Sequence, residues 1–298
     1  MSTLKDRLPP WLRLLRPHQW MKNSFVLVGL LFGHAWNEPE TVLKAFAATA
    51  AFCLLSSSVY IFNDLMDREQ DRLHPQKRHR PLASGTISVP FALGLLAACL
   101  IFAMDLIFRV VGHAHWVFLT YLCVNVAYTL KLKHVVILDV FLISAGFMLR
   151  LLAGTLALGI PPSQWLLLCG LMLTLFLGFA KRRAELNAMH TDEGAKAHRR
   201  VLELYSPHLL DQLITIAVAC TVLSYSLYTV NDDTVALHGG HLWVTVPFVL
   251  YGMFRYLYLL HRRGGGGDAA EALLNDRHLI LAVIGWLITT LVLLSGKL

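Results

Sequence analysis

Residues 41–85 read TVLKAFAATAAFCLLSSSVYIFNDLMDREQDRLHPQKRHRPLASG, an apolar run that ends abruptly in charge. Positions 41–62 carry a single charged residue, Lys44, near their start, and 86–104, beyond the charged stretch, carry none. Both runs have the length and apolarity of a membrane-spanning helix. Between them Asp64, Asp67 and Asp71 stand at i, i+3 and i+7. On a helix those offsets fall within about 60° of one another, so one face carries all three acids. Lys77, Arg78 and Arg80 follow directly. Ionisable groups at the mouth of two spans are costly and usually functional. An acidic face beside a basic loop suits a phosphorylated substrate that arrives with a hard divalent cation. The carboxylates would hold Mg²⁺, the metal would bridge diphosphate oxygens, and the bases would take the remaining charge.

The rest of the chain extends this pattern. Its 298 residues are 56% hydrophobic and 15% charged, too apolar for an ordinary soluble protein. Apolar stretches predict an all-α, polytopic membrane protein of about nine helices, near 18–36, 41–64, 87–109, 115–131, 135–158, 163–181, 208–230, 241–260 and 278–296. Pro39, Gly112, Pro161, Pro162, Gly239 and Gly240 fall in the connections. Residues 1–298 are expected to form one integral membrane domain.

Charge then orients the bundle. Of 26 Lys and Arg, 21 lie at the amino-terminal end and after spans two, four, six and eight. Lys44, Arg109 and Lys297 fall on the other side, while Arg150 and Arg255 lie within spans or near their ends. The positive-inside rule makes 65–86, 182–207 and 261–277 cytoplasmic, with 231–241 opposite. Residues 1–17 read as a basic interfacial segment on the cytoplasmic side rather than a cleavable signal peptide. The net charge of +7 is therefore a topological signal. It does not indicate a nucleic-acid partner, because the bases are divided among short loops. Cys53, Cys99, Cys123, Cys169 and Cys220 have no metal-type spacing and read as packing residues.

The connection after the fourth span brings Tyr128, Lys131, Lys133 and Asp139 to the same side. Asp139 is the only acid between Val124 and Glu185 and is favoured as a second metal or water ligand. Arg150 lies about 16 Å further along the fifth helix, a depth at which it needs an anion or a wet cavity. Lys181 closes the sixth span and is a candidate phosphate contact, ahead of Arg182 and Arg183. His74 is another. The tetraglycine at 264–267 and Asp276 read as a cap or a linker. There is no HExxH pair, no P-loop and no arguable Ser–His–Asp order.

Nine spans, the Asn-Asp-x-x-Asp-x-x-x-Asp sequence at 63–71 and the Tyr/Lys/Asp region between spans four and five resemble the UbiA superfamily of intramembrane prenyltransferases. The resemblance covers about 11–296. It implies an all-helical enzyme with a Mg²⁺-bound diphosphate at the cytoplasmic mouth and a lipid chain in the bundle. By position, Asn63, Asp64, Asp67 and Asp71 match the first acidic motif. The second motif departs from the ubiquinone- and menaquinone-type pattern of two aspartates four apart, because Ile143 follows Asp139 at that interval.

Closer in detail is the branch of polyprenyl-phosphate (decaprenyl-phosphate) phosphoribosyltransferases. LRPHQWMKN (15–23), SSVYIFNDLMDREQDRLHPQKRHRPLASG (57–85), LKHVVILDVFLISAGFMLRLLAG (132–154), FAKRRAEL (179–186) and LLNDR (273–277) carry that likeness. It implies phosphoribosyl pyrophosphate as donor, a polyprenyl phosphate as nucleophile and a bacterial inner membrane. The donor's diphosphate and 5′-phosphate, with the lipid phosphate, need several cations, and Lys22, Lys77, Arg78, Arg80, Lys133, Arg150 and Lys181 could supply them. Tyr128 would orient a phosphate or sugar oxygen. Two other readings stand beside this one: a prenyltransferase joining a polyprenyl diphosphate to an aromatic or other small acceptor, and a transporter of anionic solutes. The transporter fits less well, since the charges gather at one face instead of near the midplane of repeated halves. Oligomeric state is open, a homo-oligomer included.

Overall fold

The computed structural model describes residues 8–33, 35–73, 77–191, 200–263 and 275–295, and every regular element among them is helical. Seven described helices are long and apolar enough to cross a membrane: Pro39–Met66, Val89–Val111, Leu138–Leu156, Gln164–Asn187, Pro207–Val230, Leu242–Arg262 and Arg277–Leu294. These seven correspond to seven of the expected spans. The other two are shorter or broken. His115–Leu130 is apolar but only 16 residues long. The expected 18–36 helix divides into a 3₁₀ stretch, Pro17–Leu27, and a short α-helix, Val28–Phe32.

The α-helices in chain order are α1 (Pro10–Leu15), α2 (Val28–Phe32), α3 (Pro39–Met66), α4 (Arg68–Leu73), α5 (Val89–Leu106), α6 (His115–Leu130), α7 (Leu138–Leu156), α8 (Gln164–Thr191), α9 (Pro207–Val230), α10 (Asp232–His238), α11 (Val246–Arg263) and α12 (Arg277–Leu294). Their starts follow the sequence. Ser88, Ser206 and Asp276 cap α5, α9 and α12 by accepting from Phe91, Leu209 and Leu279 N–H, which satisfies donors that the first turn leaves open. Pro occupies the first turn of α3, α5 and α9, where its missing N–H costs nothing.

The chain divides into two compact units: 1–133 with 146–162, and 134–145 with 163–298. The first unit is built on α3. Ala48, Ala51, Phe52 and Leu55 of that helix are fully buried, against Val26, Ala103, Ile107, Val117 and Phe118. Small residues let the backbones close up, as helices in lipid require, since apolar side chains gain little by leaving hydrocarbon for a protein core. The closest approach lies between the 3₁₀ stretch and α7: a Cβ added to Gly154 would stand 1.8 Å from the Val26 carbonyl oxygen. The amino-terminal segment docks on α3 through polar groups as well. Ser57 donates to the Leu15 carbonyl at 2.8 Å and accepts from Trp20 Nε1 at 3.0 Å. Leu14 is fully buried, so α1 packs into the unit through its apolar side.

The second unit is built on α8 and α9. Leu175, Phe176, Phe179 and Ala180 meet Leu210, Ile214, Ala217 and Val218, with Met253, Tyr256, Leu259 and Leu260 of α11 and Leu279 of α12. Val140 fills the space that the missing side chain of Gly178 leaves.

The distribution of Lys and Arg predicts a topology that can be measured. In a background lacking the five native cysteines, Asp233→Cys, exposed on α10, should react with an impermeant maleimide on intact cells. Ser84→Cys, exposed in the loop before α5, should react only after permeabilisation. Equal reaction of the two would overturn the orientation.

Candidate active site

The acidic sequence straddles the end of α3. Asp67 is its C-cap, with one residue out of helical geometry before α4 begins. The hydrogen-bond ladder nonetheless continues, since Asp67 N–H donates to Asn63 O at 2.9 Å and Asp71 N–H to Asp67 O at 2.8 Å. Asp64 and Asp71 are buried, at 2% and 3% exposure. Arg80 explains how two carboxylates tolerate that. Its Nη1 donates to Asp64 Oδ1 at 3.0 Å and to Asp71 Oδ2 at 2.6 Å, so two oxygens converge on one nitrogen. Arg16 donates to the same Asp64 oxygen, and Lys133 Nζ donates to Asp67 Oδ1 at 2.7 Å. Three carboxylates meet three cations. Burial raises the Asp71 carboxyl above its usual range, by more than the facing Arg80 lowers it.

The loop that presents Arg80 is tied down by its backbone. The carbonyls of His79, Leu82 and Ala83 accept from Arg13 Nη2, Arg68 Nε and Arg72 Nε at 3.3, 3.3 and 3.2 Å. Leu82 is fully buried beneath it. Arg16 is itself unusual, a non-glycine residue at φ 54° with its guanidinium 5.0 Å from the Tyr60 ring centre. Such strain persists only where the surroundings hold it.

A second polar centre lies in the same unit. Arg150 is 5% exposed, and its N–H groups go to Asn23 Oδ1 (2.7 Å), Gly146 O (2.7 Å) and Tyr121 OH (2.9 Å). Phe52, Tyr121 and Phe147 lie around the guanidinium at 5.5, 4.7 and 5.5 Å. Among the described residues no carboxylate reaches ion-pair distance of Arg150. Its charge is solvated by neutral dipoles and ring faces alone. The buried Asn23 amide also donates to Ser56 Oγ, at 3.3 Å, which accounts for the broken first span: a regular apolar helix has no use for an amide at its centre.

Asp139 belongs to the second unit and is fully buried there. Both of its oxygens are engaged. Oδ2 lies 2.8 Å from Arg182 Nε, a close ion pair without hydrogen-bond alignment, and Oδ1 accepts from Tyr205 OH at 2.8 Å. The Tyr205 oxygen in turn accepts the Ile137 N–H at 2.6 Å. Ile137 is β-branched and sits at φ 68°, a conformation that costs of order 1–3 kcal/mol and needs such a clamp. Burial pushes the Tyr205 hydroxyl far above its usual range, and the bond to Asp139 adds to it.

Of the other sequence candidates, Lys22, Asn63, Lys77 and Tyr128 are half-buried, Lys181 and Arg78 exposed, and Arg78 Nε lies 3.4 Å from His79 Nε2. Arg182, one residue beyond Lys181, is the buried cation of that helix end. His74 and 264–274 of the expected cap lie outside the described residues. Asp276 is described: it caps α12, and the hydrogen bond from Arg255 holds its carboxyl down at about 2. Arg16, Asn23, Tyr121, Arg182 and Tyr205 carry more of the polar network than their sequence context signals. Arg16, Asn23 and Arg182 lie inside the stretches quoted for the family likeness, whereas no signal marked Tyr121 or Tyr205.

Among the described residues no three His, Cys, Asp or Glu side chains converge as a metal cage. Two carboxylate oxygens do converge, at the point where Arg80 Nη1 lies. Mg²⁺ is commonly held by one or two carboxylates together with substrate phosphates, so Asp64 and Asp71 are a donor set that fits it.

Helices of spanning length, with buried acids and bases gathered at the end of one of them, define an integral, multi-pass membrane protein. The chain belongs to the UbiA prenyltransferase family, whose model matches residues 23–276. It is 34% identical over 295 residues to decaprenyl-phosphate phosphoribosyltransferase of Corynebacterium glutamicum, covering 95% of this chain and 87% of that one. It is 32% identical over 293 residues to the protein of the same name from Mycolicibacterium smegmatis, covering 95% and 92%. A UbiA homologue from Archaeoglobus fulgidus, solved with DMAPP and Mg²⁺, shares the fold with a TM-score of 0.69 at 18% identity, over 96% and 97% of the two chains.

The buried network around Asp139 has a stability signature. Arg182→Met should lower stability by about 3–5 kcal/mol, because it strands a buried carboxylate. Tyr205→Phe, which removes one hydrogen bond to that carboxylate and one from the Ile137 N–H but leaves the ion pair, should cost less, about 1.5–3 kcal/mol. Thermal unfolding in detergent orders the two, and the reverse order would deny Asp139 its charge.

Proposed function

We propose that this enzyme transfers 5-phosphoribose from phosphoribosyl pyrophosphate to a polyprenyl phosphate, releasing pyrophosphate. The observation that carries the reading is the inventory of cations at the end of α3. Arg16, Arg80 and Lys133 already face Asp64, Asp67 and Asp71, and Lys77 and Arg78 belong to the same loop. The relatives named decaprenyl-phosphate phosphoribosyltransferase, aligned over most of their length, support it. The whole chain acts as one catalytic domain.

Asp64 and Asp71, with Asp67 beside them, would hold a divalent ion. Bound there, Mg²⁺ supplies Lewis-acid stabilisation of the departing diphosphate. Lys77, Arg78, Arg80 and Lys133 bind the donor's phosphates and fix its C1 against the acceptor. Lys22 contributes to the same anion balance, and Lys181 is a candidate phosphate contact on the second unit. Asn63 and Tyr128 orient phosphate or sugar oxygens. The ionised lipid phosphate oxygen attacks C1 from the face opposite the diphosphate. A C1–O bond to the lipid forms as the C1–O bond to the diphosphate breaks, and no general base is needed. Positive charge that develops on the ribose is met by the anions held around it. Arg150, whose charge is solvated by neutral groups among the described residues, offers an electrostatic hold on an anion. Asp139 acts through Arg182 and Tyr205, fixing the end of α7 in place of binding metal directly. The amino-terminus and the charged loops face the cytoplasm of a bacterial cell.

Purified protein with phosphoribosyl pyrophosphate, polyprenyl phosphate and Mg²⁺ should yield a lipid-linked ribose 5-phosphate and pyrophosphate. Product only from a polyprenyl diphosphate and an aromatic acid would reassign the enzyme to prenyl transfer. Asp64→Asn, Asp67→Asn and Asp71→Asn should each lower turnover at least about a hundredfold, the scale of losing one stabilising group at a reacting centre. Full activity in all three, at matched expression, would remove the acidic face from catalysis.

A further inference from the structure

We infer that Arg80 is a resident stand-in for the divalent ion, exchanged for metal only when a diphosphate arrives to receive the displaced guanidinium. The inference rests on the metal-diphosphate reading above and adds to it an order of events. Three observations carry it. The first is position: one nitrogen, Arg80 Nη1, occupies the point on which Asp64 Oδ1 and Asp71 Oδ2 converge. Two buried carboxylates that close need positive charge between them, and a metal ion and a guanidinium cannot both sit there.

The second is balance. Asp64, Asp67 and Asp71 are met by Arg16, Arg80 and Lys133, and Lys77 also acts on Asp71, so the cluster has no negative charge left over as it stands. A divalent ion alone would leave at least two surplus positive charges beside partly buried cations. A divalent ion together with a diphosphate would not. Metal and diphosphate must therefore strengthen each other's binding, and by linkage the coupling is the same in both directions.

The third is freedom to move. The Arg80 side chain is 26% exposed, whereas its carboxylate partners are nearly sealed. Its Nε and Nη2 have no partner among the described residues, which leaves part of the guanidinium fork open to a phosphate. The backbone beneath it is pinned at His79, Leu82 and Ala83. The side chain can thus swing while its loop stays in place.

The test reads metal binding in the absence of turnover. Mn²⁺ alone is titrated into the full-length protein in detergent and followed by electron paramagnetic resonance, with the Asp64→Asn/Asp71→Asn double variant marking signal from other sites. Arg80→Met should bind Mn²⁺ about tenfold more tightly than the wild type, a change within the usual range of coupled sites. Arg80→Lys keeps a charge but places it on a shorter, more flexible stem that holds the convergence point less firmly, and should tighten Mn²⁺ binding by a smaller factor. If Arg80→Met does not fold, Arg80→Lys carries the test. Unchanged or weaker Mn²⁺ binding in the folded variants would make Arg80 a fixed structural bridge and overturn the inference. The result is separable from the substrate reading: a failed phosphoribosyl transfer assay with tightened Mn²⁺ binding removes the sugar donor and leaves the exchange standing.

Discussion

A carboxylate taken out of water at the end of a spanning helix needs a cation within reach, and this requirement organises the first unit. Asp64 and Asp71 are almost wholly buried, and the Arg80 guanidinium spans them. Everything nearby serves that placement. Arg13, Arg68 and Arg72 hold the carbonyls of the loop that carries Arg80, and the amino-terminal segment is fastened to α3 so that Arg16 can reach Asp64. Removing one partner of such a set leaves an uncompensated buried charge, which costs about 3–5 kcal/mol.

The two buried arginines of the remaining polar centres solve the same problem in opposite ways. Arg182 takes a carboxylate, Asp139, and the pair is closed by Tyr205. Arg150 takes none among the described residues and is solvated by an amide, a phenol, a carbonyl and three rings. A paired arginine is electrostatically quiet. One dressed in neutral groups keeps its field, which is why Arg150 and not Arg182 is suited to attract an anion.

The sequence made the local features readable and the distant ones not. Spans α3, α5, α8, α9 and α12 follow from apolar length, because a bilayer imposes that length directly. The acids at 64, 67 and 71 follow from helical period, which survives the single break at Asp67. Partner choice is another matter. Lys133 lies 66 residues from Asp67 and Arg16 lies 48 from Asp64, and no pattern within a window links them. Asp139 illustrates the limit. As the lone acid in a long stretch it read as a ligand, and nothing in that stretch showed that Arg182 and a tyrosine no motif flagged would hold its carboxylate. The first span broke for a similar reason, since hydropathy counts Asn23 as a small penalty while the fold uses it as a hub between α3 and Arg150.

The contact between Val26 and Gly154 has a consequence beyond tight packing. Gly154 lies one helical turn past Arg150, and Val26 lies three residues past Asn23. The two backbones touch with no side chain between them, so their separation cannot be adjusted by choosing another rotamer. The contact is therefore a gauge. It sets how far apart the amide of Asn23 and the guanidinium of Arg150 stand, and a single methyl group at 154 would be registered at a hydrogen bond that Gly154 never touches.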